Sequence, residues 1–296
     1  MKIKNNITTS YLGHRKKSLG QNFLKSVPVL NKIVEAGEIS AENIILEIGP
    51  GKGALTEKLL ATSCQLIAVE KDRNLYELLK DKFKEEISSG QLKLINEDIL
   101  NFNFENYKLS AKSYKLIANI PYNITGAILK KFLTEKNQPK MMVLMVQNEV
   151  AKRIVARDGK ESILSISVKA YGNPKMIMKV PARYFSPAPK VDSAVISIKN
   201  ISRRLFNSPL EEYPKGEVDE SSTPSRKRAT PQEGNVNEKL FWEIVRAGFA
   251  HKRKKLSSNL KTFKIHIDKA SVDSLGNKRA EELTLKDWID LVKMIQ

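Results

Sequence analysis

One cysteine, Cys64, stands in the whole chain. No disulfide can form within it, and such sparing use of the thiol fits a reducing compartment. Histidine is nearly as scarce, at 3 residues. No His/Cys cluster has ligand spacing, so a protein-held metal is not expected. No apolar run is long enough to span a bilayer, and no secretory h-region is present. Residues 1–25 carry six Lys/Arg and no acid, yet lack the amphipathic, Arg- and Ser-rich pattern of an organellar transit peptide. A cytoplasmic protein without a membrane partner is the expectation. Acids are also in deficit: 33 Asp and Glu face 51 Lys and Arg, a net +18. Such a surplus suggests a polyanionic partner, nucleic acid before membrane. A basic surface kept for solubility is the plainer alternative.

What the chain does contain is an alternation of short apolar runs with amphipathic ones. The 296 residues, 41% of them hydrophobic, suffice for one large domain and a small one. Ser26-Val27-Pro28 reads as a helix start, with Ser26 as cap, and Gly37 ends that helix. Strands follow at 44–48, 66–69, 92–95 and 116–118, separated by helices at 54–62 and 75–83. A helix at 127–133 leads to 141–146, an almost wholly apolar run of the kind a strand covered on both faces needs. Helices at 149–156 and 163–171 precede strands at 176–180 and 194–198, expected antiparallel at the sheet edge. This predicts a doubly wound, mostly parallel α/β sheet with its ligand at the carboxyl ends of the strands. The stretch 211–238 is polar and proline-bearing and reads as a linker or inserted loop, with Arg226-Lys227-Arg228 within it. Helical periodicity resumes at Leu240, with further helices at 257–261, 271–275 and 285–294. The expected domains are 1–200, a linker at 201–239, and a small all-helical domain at 240–296.

Gly49, Gly51 and Gly53 follow a buried strand and precede a helix. Glycine there lets the backbone turn tightly and approach a ligand. The spacing is G-x-G-x-G, short of the dinucleotide fingerprint, and no Ser or Thr follows Lys52 as a phosphate-binding loop requires. Glu47 beside the turn suits a ligand with an ammonium group, and S-adenosylmethionine fits. A tight turn with no ligand remains the alternative for this motif alone. Glu70 closes the second strand, 21 residues after Gly49, where a carboxylate can accept both ribose hydroxyls. Asp98 ends the third strand and can accept from an adenine amino group.

Asn119-Ile120-Pro121-Tyr122 follows the fourth strand. An adenine amino nitrogen is a poor nucleophile because its lone pair is delocalised into the ring. Two acceptors aimed at its hydrogens would favour a pyramidal nitrogen with a localised pair. The Asn119 side-chain oxygen can be one, and a backbone carbonyl at Ile120 or Pro121 the other. Pro121 stiffens the turn, and Tyr122 offers a face on which an extruded base can stack. A β-turn with a core tyrosine is the simpler reading of the same four residues.

These motifs together resemble the ribosomal RNA adenine dimethyltransferases. Lys17-Ser18-Leu19-Gly20-Gln21-Asn22-Phe23-Leu24 is similar to the family's N-terminal segment, which closes over the cofactor. Residues 47–56 are similar to its glycine motif and 119–125 to its catalytic loop. Phe185-Ser186-Pro187-Ala188-Pro189-Lys190-Val191-Asp192-Ser193 is similar to its late loop beside the active site. The resemblance implies a Rossmann-like S-adenosylmethionine-dependent methyltransferase fold. It implies cofactor contacts from Asn22, Leu24, Gly49, Gly51, Glu70, Asp98 and Asn119, and catalysis by Asn119, Pro121 and Tyr122. It also implies a sandwich of the target adenine between Tyr122 and Phe185. The late loop and the tract Phe249–Leu256 look like the small-subunit branch, whose loss gives kasugamycin resistance. That branch dimethylates two adjacent adenosines in a hairpin loop near the 3′ end of small-subunit rRNA and serves as an assembly checkpoint. Arg15, Lys16, Lys17, Lys190 and the tract Lys252, Arg253, Lys254 and Lys255 would contact the RNA backbone. The expected partner of this monomer is small-subunit rRNA or the assembling small subunit. Two departures stand out: 211–238 is long for this branch, and His251 occupies a place where arginine is frequent. The large-subunit, macrolide-resistance branch and a non-catalytic RNA-binding assembly factor are the competing expectations.

Overall fold

The computed structural model describes residues 21–107, 109, 113–156, 158–206, 236–261 and 276–295. Arg15, Lys16 and Lys17, most of the polar stretch with Arg226–Arg228, and the helix expected at 271–275 lie outside the described residues.

A two-residue strand β1 (Phe23–Leu24) precedes α1 (Val27–Ala36), β2 (Ile44–Ile48), α2 (Ala54–Leu60), β3 (Gln65–Glu70), α3 (Arg73–Lys82), α4 (Lys84–Ser88) and β4 (Leu92–Asn96). Then come β5 (Tyr114–Asn119), α5 (Thr125–Thr134), β6 (Met141–Gln147), α6 (Asn148–Val155), α7 (Ile163–Lys169), β7 (Asn173–Val180), β8 (Phe185–Ser186) and β9 (Ser193–Lys199). The C-terminal helices are α8 (Glu238–Gly248), α9 (Leu256–Leu260) and α10 (Leu285–Lys293). Ser26 does stand at the N-cap of α1 with a proline in the first turn, but its side chain makes no capping bond.

Seven strands form one sheet in the order β4-β3-β2-β5-β6-β9-β7. The pairs from β4 to β6 are parallel, whereas β9 runs antiparallel to both β6 and β7. The fold is thus the expected Rossmann-like, mostly parallel sheet with an antiparallel edge. The chain moves outward from β2 to β4, then returns to place β5 on the other side of β2. This reversal opens a crevice at the carboxyl ends of β2 and β5. Residues 142–146 of β6 are fully buried, which explains an apolar run without alternation. A separate antiparallel ribbon pairs β1 with β8, Phe23 opposite Ser186 and Leu24 opposite Phe185.

The contacts divide the chain into two compact units. One comprises Met1–Val155 with Asn173–Ile201, the other Ala156–Gly172 with Ser202–Gln296. The segment with α7, read from the sequence as part of the sheet domain, groups with the C-terminal helices. In that second unit, Phe241, Ile244, Val245, Leu256, Trp288 and Val292 are fully buried. Asn237 caps α8 by accepting the Leu240 N–H at 3.0 Å. Glu238 pairs with Arg203 and accepts from the Tyr171 hydroxyl. The Phe206 ring packs edge-on against Phe241, with centroids 5.4 Å apart.

Candidate active site

The turn after β2 turns back sharply because Gly49 lies at φ +64°, a conformation costly for any residue with a Cβ. A Cβ built there would meet nothing within 4 Å, so the turn faces open volume. That volume is a cavity of about 470 Å³. Its lining includes Gly49, Gly51, Glu47 and Glu70 on the side of β2 and β3, Asp98 beyond β4, and Asn119–Ile124 beyond β5.

Glu70 closes β3 with its carboxylate nearly buried. Oε2 accepts the Gly51 N–H at 3.0 Å and Oε1 accepts the Asp72 N–H at 2.8 Å. Burial raises its pKa, and these two donors pull it back. Each oxygen keeps a lone pair for a further donor. Glu47 is fully buried in β2 and accepts the Thr56 hydroxyl at 2.8 Å. Loss of hydration pushes its pKa up to about 8; the Thr56 bond opposes this and the Glu70 charge adds to it. Asp98 behaves oppositely. Lys71 donates to its Oδ2 at 2.8 Å and holds its carboxyl below the usual range, while Oδ1 accepts the Leu100 N–H at 3.0 Å.

Asn119 ends β5. Its Nδ2 donates to the Asn22 carbonyl at 3.3 Å. A carbonyl can only accept, so this bond fixes which end of the amide is which and reserves Oδ1 for an incoming donor. The Pro121 carbonyl accepts the Ile124 N–H at 3.2 Å and closes a short 3-10 turn at Tyr122–Ile124. The Tyr122 hydroxyl lies 2.6 Å from Ser193 Oγ at the start of β9.

Residues 21–25 cross this region as a strap. Gln21 Nε2 donates to Asp72 Oδ2 at 3.1 Å, and the Lys25 N–H donates to the Tyr184 carbonyl at 2.9 Å. Phe23 lies against the glycine turn: a Cβ on Gly51 would come within 3.0 Å of its ring. The Lys52 ammonium sits 5.2 Å from the centroid of the same ring. The strap therefore ties the cofactor side of the cavity, the loop after β5 and the β8 segment to one another.

Residues 13–215 match the sequence profile of the family described as "Ribosomal RNA adenine dimethylase". The chain is 40% identical over 280 residues to "Ribosomal RNA small subunit methyltransferase A" of Dehalococcoides mccartyi (strain CBDB1), covering 92% of this chain and 86% of that protein. It is 34% identical over 288 residues to the protein of the same name from Fusobacterium nucleatum, covering 95% and 97%. The chain belongs to the ribosomal RNA adenine dimethylase family. Two solved structures share its fold. A dimethyladenosine transferase from Plasmodium falciparum superposes with a TM-score of 0.67 at 24% identity, over 91% of this chain and 95% of that one. The 23S rRNA methyltransferase ErmE superposes at 0.66 with 22% identity, over 93% and 99%.

In this family member all seven expected cofactor residues, Asn22, Leu24, Gly49, Gly51, Glu70, Asp98 and Asn119, line one cavity, as do Pro121 and Tyr122. Phe185 does not. It is 3% exposed and packs in the core with Leu24, whereas Ser186 points outward. The physical reason is the two-residue alternation of an extended strand: pairing with β1 sends residue 185 inward and 186 out. In this structure Phe185 therefore does not line the cavity beside Tyr122. Asp98 also stands two residues past the end of β4 instead of ending it. Lys190 is exposed in the loop before β9, and Lys252, Arg253, Lys254 and Lys255 are all exposed between α8 and α9. Three partners escaped the sequence: Ser193 for Tyr122, Lys71 for Asp98, and Asp72 for Gln21. The first closes the late-loop motif, and its position there was the one available signal.

Proposed function

We propose that this protein transfers methyl groups from S-adenosylmethionine to the exocyclic amines of two adjacent adenosines near the 3′ end of small-subunit rRNA, in the course of small-subunit assembly. The single observation that carries the reading is the shared cavity of Gly49, Glu70, Asp98 and Asn119, within a chain of this family. The volume suits a nucleoside with an amino-acid tail, and the donor set fits it. Glu70 has lone pairs for ribose hydroxyls, Asp98 can accept an adenine amine, and the open space before Gly49 leaves backbone within reach of the tail. The nearly buried Glu70 carboxylate on the inner wall disfavours a pyrophosphate and suits a ligand that brings hydrogen-bond donors.

Bound S-adenosylmethionine supplies a methyl group already activated by its sulfonium. The chain's own residues prepare the acceptor. Asn119 Oδ1, oriented through the Asn22 carbonyl, accepts one hydrogen of the adenine amine. A backbone carbonyl of the turn, Ile120 or Pro121, is the second acceptor; Pro121 keeps a lone pair beside its bond from Ile124. Together they localise the nitrogen lone pair, and the rigidity of the turn means little reorganisation is needed when charge develops. Tyr122, tethered by Ser193, holds its ring at a fixed angle for the base to stack on. The strap, residues 21–25, lines the cofactor side of the cavity.

The 34–40% identity to proteins named for the small subunit favours that substrate over large-subunit RNA. Incubation with labelled S-adenosylmethionine and separate small- and large-subunit precursors tests it. Label is expected in small-subunit RNA as dimethyladenosine by mass spectrometry, and label only in large-subunit RNA overturns the assignment. Binding of precursor without any transfer would favour a non-catalytic assembly factor.

A further inference from the structure

Ser193 opens β9 and is fully buried. It stands in register with Gln147 of β6 on one side and Val180 of β7 on the other, so two strands hold its backbone. The residue before it adds three ties. Asp192 Oδ1 accepts the Ala182 N–H at 3.0 Å, its Oδ2 pairs with Lys179 at 2.8 Å, and its carbonyl accepts the Asn148 N–H at 2.9 Å. The Ser193 hydroxyl is thus a fixed point of the sheet. It lies 2.6 Å from the hydroxyl of Tyr122, 71 residues away along the chain.

Tyr122 is held at its other end as well. Thr125 Oγ1 donates to the Tyr122 carbonyl at 3.2 Å, within the turn that follows β5. Backbone and hydroxyl are anchored by different elements, and together they select one rotamer for the ring between them. Among the described residues, the aromatic side chains lining the cavity are Phe23 and Tyr122, and Phe23 lies against the glycine turn. Tyr122 therefore supplies the aromatic face on the acceptor side.

Dimethylation makes unequal demands on that face. An unmodified adenine amine offers two hydrogens, one for Asn119 Oδ1 and one for a backbone carbonyl of the turn. Two hydrogen bonds and a stacked ring fix the base. After the first transfer the nitrogen carries one methyl group and one hydrogen. A single hydrogen bond leaves rotation about its own axis free, and the methyl group stands where the second hydrogen was. In the second transfer this nitrogen attacks the sulfonium methyl carbon. The C–N bond forms, the electron pair of the broken C–S bond stays with sulfur, and the last N–H proton is released to water. The stack on Tyr122 must then supply the orientation that the lost hydrogen bond gave.

We infer that Ser193 is a positioning residue whose hold on Tyr122 governs the second methyl transfer more than the first, and so decides whether the product is dimethyl- or monomethyladenosine. The inference rests on the adenine dimethylation proposed above and names the residue on which its second half depends.

The test uses the full chain with small-subunit precursor, sampled over time and digested to nucleosides for mass spectrometry. Ser193→Ala should slow the second transfer about tenfold and the first by no more than about twofold, so that monomethyladenosine accumulates. KM for precursor and the affinity for S-adenosylhomocysteine should stay at parental values. Ser193→Thr keeps a hydroxyl on the same carbon and should restore the dimethyl product. An alanine variant that keeps the parental product ratio, slows both transfers equally or loses S-adenosylhomocysteine binding overturns the inference. So does a threonine variant that melts as the parent does yet accumulates the monomethyl product. If the parent forms no dimethyladenosine in small-subunit RNA, the substrate reading fails instead, and the same product ratio on large-subunit precursor still decides the role of Ser193.

Discussion

Lys115 and Asn119 stand on the same strand, β5, at opposite ends of the sheet. Lys115 is nearly buried, and its ammonium donates to the carbonyls of Gly37, at 3.0 Å, and Glu38, where α1 ends. The cation completes a helix terminus whose carbonyls lack partners of their own. Burial lowers its pKa, but both bonds are made inside the fold. Asn119 is arranged otherwise. One end of its amide is committed to Asn22 and the other faces the cavity. The same contrast separates Lys115 from Glu70, whose oxygens retain capacity for a ligand. Polar groups that close on one another give stability, whereas polar groups left half-used beside open volume mark chemistry.

The first way to break this contrast is at its open end. Asn119→Ala should lower kcat by about 100-fold or more and leave the Kd for precursor RNA near the parent's. Radiolabel transfer and filter binding measure the two, and near-full activity would end the account of the acceptor pair. Next in size is Glu47→Gln. Glu47 titrates at about 8 when folded against 4.5 when free, so the fold favours its protonated form. Its contribution is fully present below pH 4.5 and is lost as pH climbs to about 8, in total on the order of a few kcal/mol. Thermal melts from pH 5 to 8.5 should show the parent losing stability and the glutamine variant losing less. A residual slope belongs to Glu70, which is raised as well.

The closed end yields a stability effect without a catalytic one. Lys115→Met strands the Gly37 and Glu38 carbonyls and should cost about 1–3 kcal/mol in denaturant unfolding, while S-adenosylhomocysteine affinity is kept. A drop in that affinity with unchanged stability would erase the distinction between the two ends. The smallest effect concerns Lys71. It is mostly exposed and its ion pair with Asp98 is worth at most about 1 kcal/mol. An adenine amine docking on Asp98 must share or displace it. Lys71→Met is expected to tighten S-adenosylhomocysteine binding two- to fivefold in calorimetry at low salt, with the gain vanishing at high salt.

The positions of the strands along the chain and the crevice at their carboxyl ends were legible because long apolar runs and glycine turns are local signals. The five sheet-forming runs from 44 to 146 appear at nearly their true bounds, and the acids at their tips converge as the doubly wound topology requires. The β1–β8 ribbon was not legible. Two residues carry no periodicity, and their partner lies far along the chain. The inward direction of Phe185 follows from that pairing, which the sequence does not announce. The Tyr122–Ser193 and Lys71–Asp98 contacts likewise join residues distant in sequence. The grouping of Ala156–Gly172 with the C-terminal helices depends on which surface α7 buries, and a helix's own pattern does not name its neighbour.

The pairing of Arg203 with Glu238, and of the Phe206 ring with Phe241, has a consequence for how this chain can vary. The two ends of the stretch 207–235 are brought together by contacts that lie wholly outside it. The entropy of closing such a stretch rises only with the logarithm of its length, about 0.6 kcal/mol per doubling. With its endpoints stitched from outside, a change of length at this position is expected to leave the turn at 204–206 and α8 in place, which makes it a ready splice point for a fused reporter or an added binding module.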